Sequence, residues 1–183
     1  ELSEGEAAVS GRLAGKVAMV TGIGAGIGRG VALRFAAEGA MVVGCDIAAE
    51  AAEATVAAAR AEGRDLSSVH PVDLTTEHGA RAFVDAARPY GRIDVLVNAA
   101  AIAPHMASTA EMDYEKQWRP TISGEVDIVF LVTHAAWPLL EASGRSSVIN
   151  FASVNSYRGS RHMGMLAHCA GKGAVLSMTR QLA

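Results

Sequence analysis

His168 and Lys172 stand four residues apart in "AHCAGKGAVLSMTRQLA", so on a helix their side chains share one face, a turn apart, each in the other's field. An imidazole in that setting is a competent proton acceptor near neutral pH. The same pair is also an ordinary feature of a polar helix surface, and the spacing alone leaves both readings open. A second group of residues is "TGIGAGIGRG", where Gly22, Gly26 and Gly28 follow a G-x-x-x-G-x-G pattern. Residues without a Cβ at a strand-to-helix turn let backbone N–H groups and a helix N-terminus approach a pyrophosphate. A turn that merely needs positive φ would use the same glycines. Asp46, at the end of the next apolar run, separates these alternatives. Its carboxylate can accept hydrogen bonds from both hydroxyls of an adenosine ribose and would repel a 2′-phosphate. No Arg or Lys lies in the loop before Gly26 to offset that repulsion, so the expected cofactor is NAD rather than NADP.

These residues need a scaffold that brings several strand ends together. From Lys16 onward, the apolar runs "VAMVT", "AMVVGCD", "SVHPVDL", "IDVLVNAA" and "SVINFAS" alternate with longer segments of helical period. Their near-continuous apolar character suits parallel strands covered on both faces. Helices are expected at about residues 27–38, 48–62, 76–89, 111–119, 122–143 and 165–183. Gly39 and Gly63 fall where helix C-terminal caps belong. The alanine-rich "AAEAAEATVAAARAEG", with its interspersed charges, reads as an exposed covering helix. With no internal repeat and no linker, right-handed crossovers build a doubly wound α/β domain with a mostly parallel sheet, a Rossmann fold. The reading is one domain over residues 15–183, preceded by a loose tail over 1–14.

Composition narrows the classes. A chain of 183 residues, 50% hydrophobic and with 19 glycines, suffices for one good core. A formal charge of −3 and the lack of a basic stripe argue against nucleic acid. Cys45 and Cys169 show no CxxC or Cys/His ligand spacing, so no metal site is expected, and two reduced thiols suit a cytoplasmic protein. His70, His78, His105, His134 and His162 share no helix face at ligand spacing. The apolar runs look short of a membrane span, and "ELSEGEAAVSG" lacks the basic and apolar regions of a signal peptide. The chain does not begin with methionine, and the expectation is of a trimmed start.

In this order, "TGIGAGIG", Asp46, "VDL" with Asp73, "VLVNAAA", "VINFAS" and "HCAGKGAVLSMTRQLA" resemble the short-chain dehydrogenase/reductase family, from Gly15 to Ala183. The resemblance implies an NAD-dependent oxidoreductase moving a hydride between nicotinamide and a small alcohol or ketone. It implies a cofactor site from Thr21, Gly22, Gly26, Ile27, Gly28, Asp46, Asp73, Leu74, Asn98, Ala99 and Lys172. Asp73 would contact adenine, Asn98 would steady the sheet beside the cofactor, Ser153 would hold the substrate oxygen and Lys172 the nicotinamide ribose. A homotetramer or homodimer is implied, with "VDIVFLVTHAAWPLL" as a candidate interface.

The chain departs from the family at three places. His168 occupies the position of the proton-shuttling tyrosine, in a stretch that aligns without a gap. Ala99 and Ala101 replace an asparagine and a glycine. By the register of "IVFLVT", Glu125 falls at the family's catalytic asparagine. A protonated imidazole beside Lys172 and an oxidised nicotinamide is electrostatically disfavoured, so Glu125 is expected to supply the compensating charge. The catalytic set is therefore Ser153, His168, Lys172 and Glu125. Tyr157, four residues after Ser153, is expected to line the substrate pocket, with other specificity residues near 102–110 and 154–164. The family would continue beyond Ala183 with a further strand and a substrate-covering segment, so a truncated chain is expected. A non-catalytic NAD-binding module with a structural or sensing role is the alternative, and a Rossmann-type methyltransferase would leave Ser153 and Lys172 without a purpose.

Overall fold

The computed structural model describes residues 11–159 and 163–183. Five strands, β1 (Val17–Thr21), β2 (Met41–Cys45), β3 (Leu66–Val69), β4 (Val95–Asn98) and β5 (Ser147–Asn150), form one parallel sheet in the order β3-β2-β1-β4-β5. The order reverses direction between β1 and β4, which opens a crevice at the strand carboxyl ends. Helices α1 (Gly26–Ala37) and α2 (Ala49–Ala61) cover one face. There Ala32, Ala36, Ala52 and Ala59 pack on Ala18, Val20, Val42 and Val97. The other face carries α3 (Glu77–Asp85), α5 (Ile128–Ser143) and α6 (Leu166–Leu182), whose Phe83, Val132, Ala136 and Val175 meet Met19, Val43 and Leu96. Alternate residues of one strand thus serve two cores, which explains their continuous apolar runs.

Several boundaries differ from expectation for identifiable reasons. The third strand begins at Leu66 and ends at Val69, because its register to β2 pairs Leu66 with Val42 and Val69 with Cys45. Pro71, with no amide, cannot extend that ladder. Helix α3 stops at Asp85, ahead of a 3₁₀ turn at Arg88–Tyr90 that contains Pro89. The two helices expected over 111–143 are one continuous run over 114–143, in which α4 (Arg119–Ile122) and α5 are each preceded by a π turn, Tyr114–Trp118 and Ser123–Asp127. Asp113 caps its start by accepting from Lys116 N at 2.7 Å. Pro120 sits in the first turn of α4, where the wider turn before it accommodates the missing amide.

That run is long and apolar enough by length and composition to cross a membrane, contrary to the sequence expectation. Here it lies along the sheet, with Ile128, Val129, Val132, Ala136 and Leu140 in the core. Residues 1–10 of the expected tail lie outside the described residues. Residues 11–14 form a turn docked on the end of α1, with Arg12 N and Leu13 N donating to Glu38.

At the opposite end of the sheet from the crevice, Asp94 gathers four donors. Its carboxylate accepts from Val17 N at 2.8 Å, Ser143 Oγ at 2.9 Å, Arg92 Nε at 3.1 Å and Lys16 Nζ at 3.4 Å. Burial alone would raise the carboxyl's pKa, but these donors outweigh it and bring it down to about 2.

Candidate active site

The chain leaves β1 and enters α1 through a turn where close approach calls for glycine at three points, and where Gly26 adds a positive φ of +55°. Gly22 has φ +73°, and a Cβ there would come within 2.9 Å of the Ala100 backbone. A Cβ on Gly28 would meet the Gly22 carbonyl oxygen at 2.1 Å, so the first turn of α1 can approach β1 only with glycine at 28. The third glycine, Gly24, was not foreseen: its Cβ would strike Asp46 Oδ2 at 2.9 Å. Among the described residues the N-terminus of α1 has no side-chain cap, which leaves its first N–H groups available to an anion.

Asp46 follows β2 and is locked in place, Oδ2 accepting from Gly24 N at 2.7 Å and Oδ1 from Ala48 N at 2.9 Å. Asp73 is held by Thr75, whose N and Oγ1 donate to Oδ1 at 2.9 and 2.6 Å. These residues, with Gly26, Leu74, Ala99 and Ile102, line a cleft of about 400 Å³ along the crevice. Ile27, at its mouth, is exposed. The narrow glycine approach, the uncapped helix and a fixed carboxylate at the far end fit the pyrophosphate and ribose of a dinucleotide. Among the described residues, no three or more His, Cys, Asp or Glu side chains gather to hold a metal.

Thr21 and Asn98, expected to touch the cofactor, are buried behind this cleft. Thr21 Oγ1 accepts from Ala100 N at 2.9 Å and so ties β1 to the strand after β4. Asn98 Nδ2 donates to Asn150 Oδ1 at 2.8 Å and Thr133 Oγ1 at 3.1 Å, joining β4 to β5 and α5. Thr21 Oγ1 and Asn98 Nδ2 thus hold the crevice's floor, while Asn98 Oδ1 is buried without a hydrogen-bond partner among the described residues.

The second group assembles where α6 meets the π turn Ser123–Asp127. His168 Nδ1 lies 2.6 Å from Glu125 Oε1, with the histidine side chain 12% exposed and the glutamate 1%. An ionised carboxylate can only accept, and toward Glu125 in that form Nδ1–H donates and Nε2 is the acceptor of a neutral ring. Glu125 Oε2 is buried without a hydrogen-bond partner among the described residues. Lys172, one turn along α6, donates from Nζ to the Phe151 carbonyl at 3.0 Å. Burial lowers the Lys172 pKa, and the Glu125 charge partly restores it. Ser153 caps the 3₁₀ turn Val154–Ser156, which packs against α6, its Oγ accepting from Asn155 N at 3.1 Å. Of this neighbourhood, Gly124 and Ile128 reach the wall of the cleft. Tyr157, at the end of the same turn, is exposed, whereas His162 and its neighbours 160–161 lie outside the described residues.

The chain therefore combines a dinucleotide-shaped cleft with an imidazole, a hydroxyl and an ammonium on the adjoining elements. The family model for short chain dehydrogenases matches residues 16–183. The meso-2,3-butanediol dehydrogenase of Serratia marcescens is 37% identical over 94% of this chain and 66% of its own length. A chloroplastic NADPH-dependent aldehyde reductase of Arabidopsis thaliana is 34% identical over 95% of this chain and 61% of its own. Among solved structures, a short-chain dehydrogenase/reductase from Burkholderia xenovorans superposes with a TM-score of 0.86 at 32% identity, covering 94% of this chain and 69% of that one. The chain spans 61–66% of the length of these two curated relatives. On fold, crevice and sequence together, it belongs to the short-chain dehydrogenase family.

Proposed function

We propose that this chain carries the nucleotide-binding and catalytic part of an NAD-dependent oxidoreductase acting on a small alcohol or ketone, with His168 in the place of the family's tyrosine. The observation that carries this reading is the 2.6 Å contact between His168 and the buried Glu125. A carboxylate held on Nδ1 fixes the tautomer and stabilises the imidazolium once Nε2 has taken a proton. In the oxidising direction, Nε2 accepts the substrate hydroxyl proton while Ser153 Oγ–H donates to the same oxygen. In reduction, the imidazolium returns the proton to the oxygen that becomes the alcohol. The nicotinamide, when bound, supplies or takes up the hydride. Lys172 binds its ribose, and the Glu125 charge offsets the imidazolium that would otherwise crowd Lys172.

The names of the relatives, a diol dehydrogenase and an aldehyde reductase, support an alcohol or carbonyl substrate. Preference for NAD rests on Asp46, whose carboxylate is pinned by two amides and cannot retreat from a 2′-phosphate. The exposed Phe130 and Trp137 of α5 support self-association through that helix, as a dimer or tetramer. The free thiols of Cys45 and Cys169 suit a cytoplasmic setting.

Calorimetric titration with NADH and NADPH, beside turnover of diols and small ketones, tests the reading. NADH should bind at least about tenfold more tightly, on the order of 1.4 kcal/mol, and Asp46→Asn should shrink that ratio. Equal affinity for both would remove the role of Asp46. Binding of NADH with no turnover of any alcohol or ketone would leave a nucleotide-binding module and sink the catalytic role of His168.

A further inference from the structure

Glu125 is a fully buried glutamate, and what makes room for it is on the facing helix. A Cβ built on Gly171 would lie 2.5 Å from Glu125 Oε2 and 3.3 Å from its Cβ. Oε2 is the end of the side chain, but the Cβ contact at 3.3 Å and burial limit how far the glutamate can swing. It is 1% exposed, and the preceding Gly124 already fits so closely under Ile102 that its own Cβ would come within 2.6 Å of Ile102 Cγ2. The π turn Ser123–Asp127 aims residue 125 at α6, and the missing side chain at 171 receives it. The demand is one of space, because Gly171 has no positive φ to explain it. Two residues further along α6, Gly173 offers a contrast, since a Cβ there would meet nothing within 4 Å.

We propose that Gly171 is a positioning residue: its bare Cα admits the Glu125 carboxylate, and the Glu125–His168 hydrogen bond depends on that gap. The consequence for catalysis rests on His168 being the proton-transfer group. Gly171, Glu125 and His168 form one unit, in which a buried acid, the base it orients and the notch that admits the acid require one another. Adding one methyl group at 171 pushes Oε2 away and turns Oε1 off Nδ1, leaving the imidazole in place but without its orienting acceptor.

The test compares Gly171→Ala with Gly173→Ala, alone and in a Glu125→Ala background. ¹⁵N-resolved spectra of the His168 imidazole report the contact directly, and steady-state kinetics report its effect. Gly171→Ala should lose the hydrogen-bonded Nδ1–H signal and cut kcat/KM by about 10–100-fold, the size usual for losing a partner that orients a catalytic histidine. NADH affinity should stay within about twofold, and Gly173→Ala should match the wild type in both readouts. In the Glu125→Ala background, which removes the carboxylate, Gly171→Ala should cost nothing further in activity or melting temperature. If Gly171→Ala alone fails to fold while the double variant folds, the collision is confirmed. An unchanged Nδ1–H signal in folded Gly171→Ala, an equal loss in both backgrounds, or failure of both variants to fold overturns the proposal. The functional reading falls separately, if His168→Ala leaves turnover intact while Gly171→Ala still abolishes the Nδ1–H signal.

Discussion

The Glu125 carboxylate faces two groups of different kind, an imidazole and an ammonium. It lies 2.6 Å from His168 Nδ1, and it opposes the burial that lowers the Lys172 pKa. Replacing it by glutamine keeps the shape and removes the charge. Glu125→Gln should lower kcat/KM by about 100-fold, with much less effect once His168 is alanine, and a double-mutant cycle measures that coupling. The variant should also move a pH limb in a defined direction. A lysine with a lowered pKa surrenders its charge earlier as pH rises, and removing Glu125 leaves burial unopposed. With Lys172 on the nicotinamide ribose, NADH affinity should fall at alkaline pH as the lysine loses its proton, and that fall should lie at lower pH in Glu125→Gln than in the wild type. A shift to higher pH, or none, would separate Lys172 from this carboxylate.

Among the elements, β1, α1 and α6 lie within a residue or two of where the sequence puts them, because their signals are local: an apolar run, a glycine turn, a helical period. The third strand does not, since its register is chosen by β2 and no periodicity within "SVHPVDL" reveals that partner. The continuous run over 114–143 was also hidden, because a π turn leaves no trace in a pattern read at 3.6 residues per turn. The site divides in the same way. The glycine turn and Asp46 were legible from type and spacing, and the positions of His168 and Glu125 followed from family register. The need for glycine at 171 arises from a residue 46 positions away, and only the fold brings the two together.

Asp94 provides a prediction at this scale, because it ties the beginnings of β1 and β5 to α5. Its carboxyl is held at about 2, below the ordinary 3.8, and it is 5% exposed, so the ionised form stabilises the fold by about 2 kcal/mol. For a carboxyl with a depressed folded-state pKa, that contribution is complete above the unfolded value and disappears as pH falls through the folded one. Asp94→Asn should cost about 2 kcal/mol in urea denaturation at neutral pH, and the difference from wild type should shrink between about pH 4 and pH 2. A difference that does not vary with pH would mean the donors hold β1 by shape rather than charge.

Across the whole molecule, protection should follow position in the sheet. Every residue of β1 is buried and paired with β2, and Ala18–Val20 are paired with β4 as well, whereas β5 alternates exposed and half-buried residues and, among the described residues, pairs only with β4. Native-state hydrogen exchange should therefore find β1 and β4 amides opening only with global unfolding, and β5 amides opening at lower free energy. Equal protection throughout would indicate that something covers β5 in solution. The sheet also divides its duties by end. The carboxyl ends present Gly22, Asp46 and the approach to Ser153, while the amino ends hold the Asp94 network, and no hydrogen bond of that network reaches the cleft. Sequence change can therefore be absorbed at the two ends separately. A more stable Asp94 end leaves reserve against costly substitutions around the crevice, and the crevice loops can explore new substrates while the fold's anchor stays unaltered.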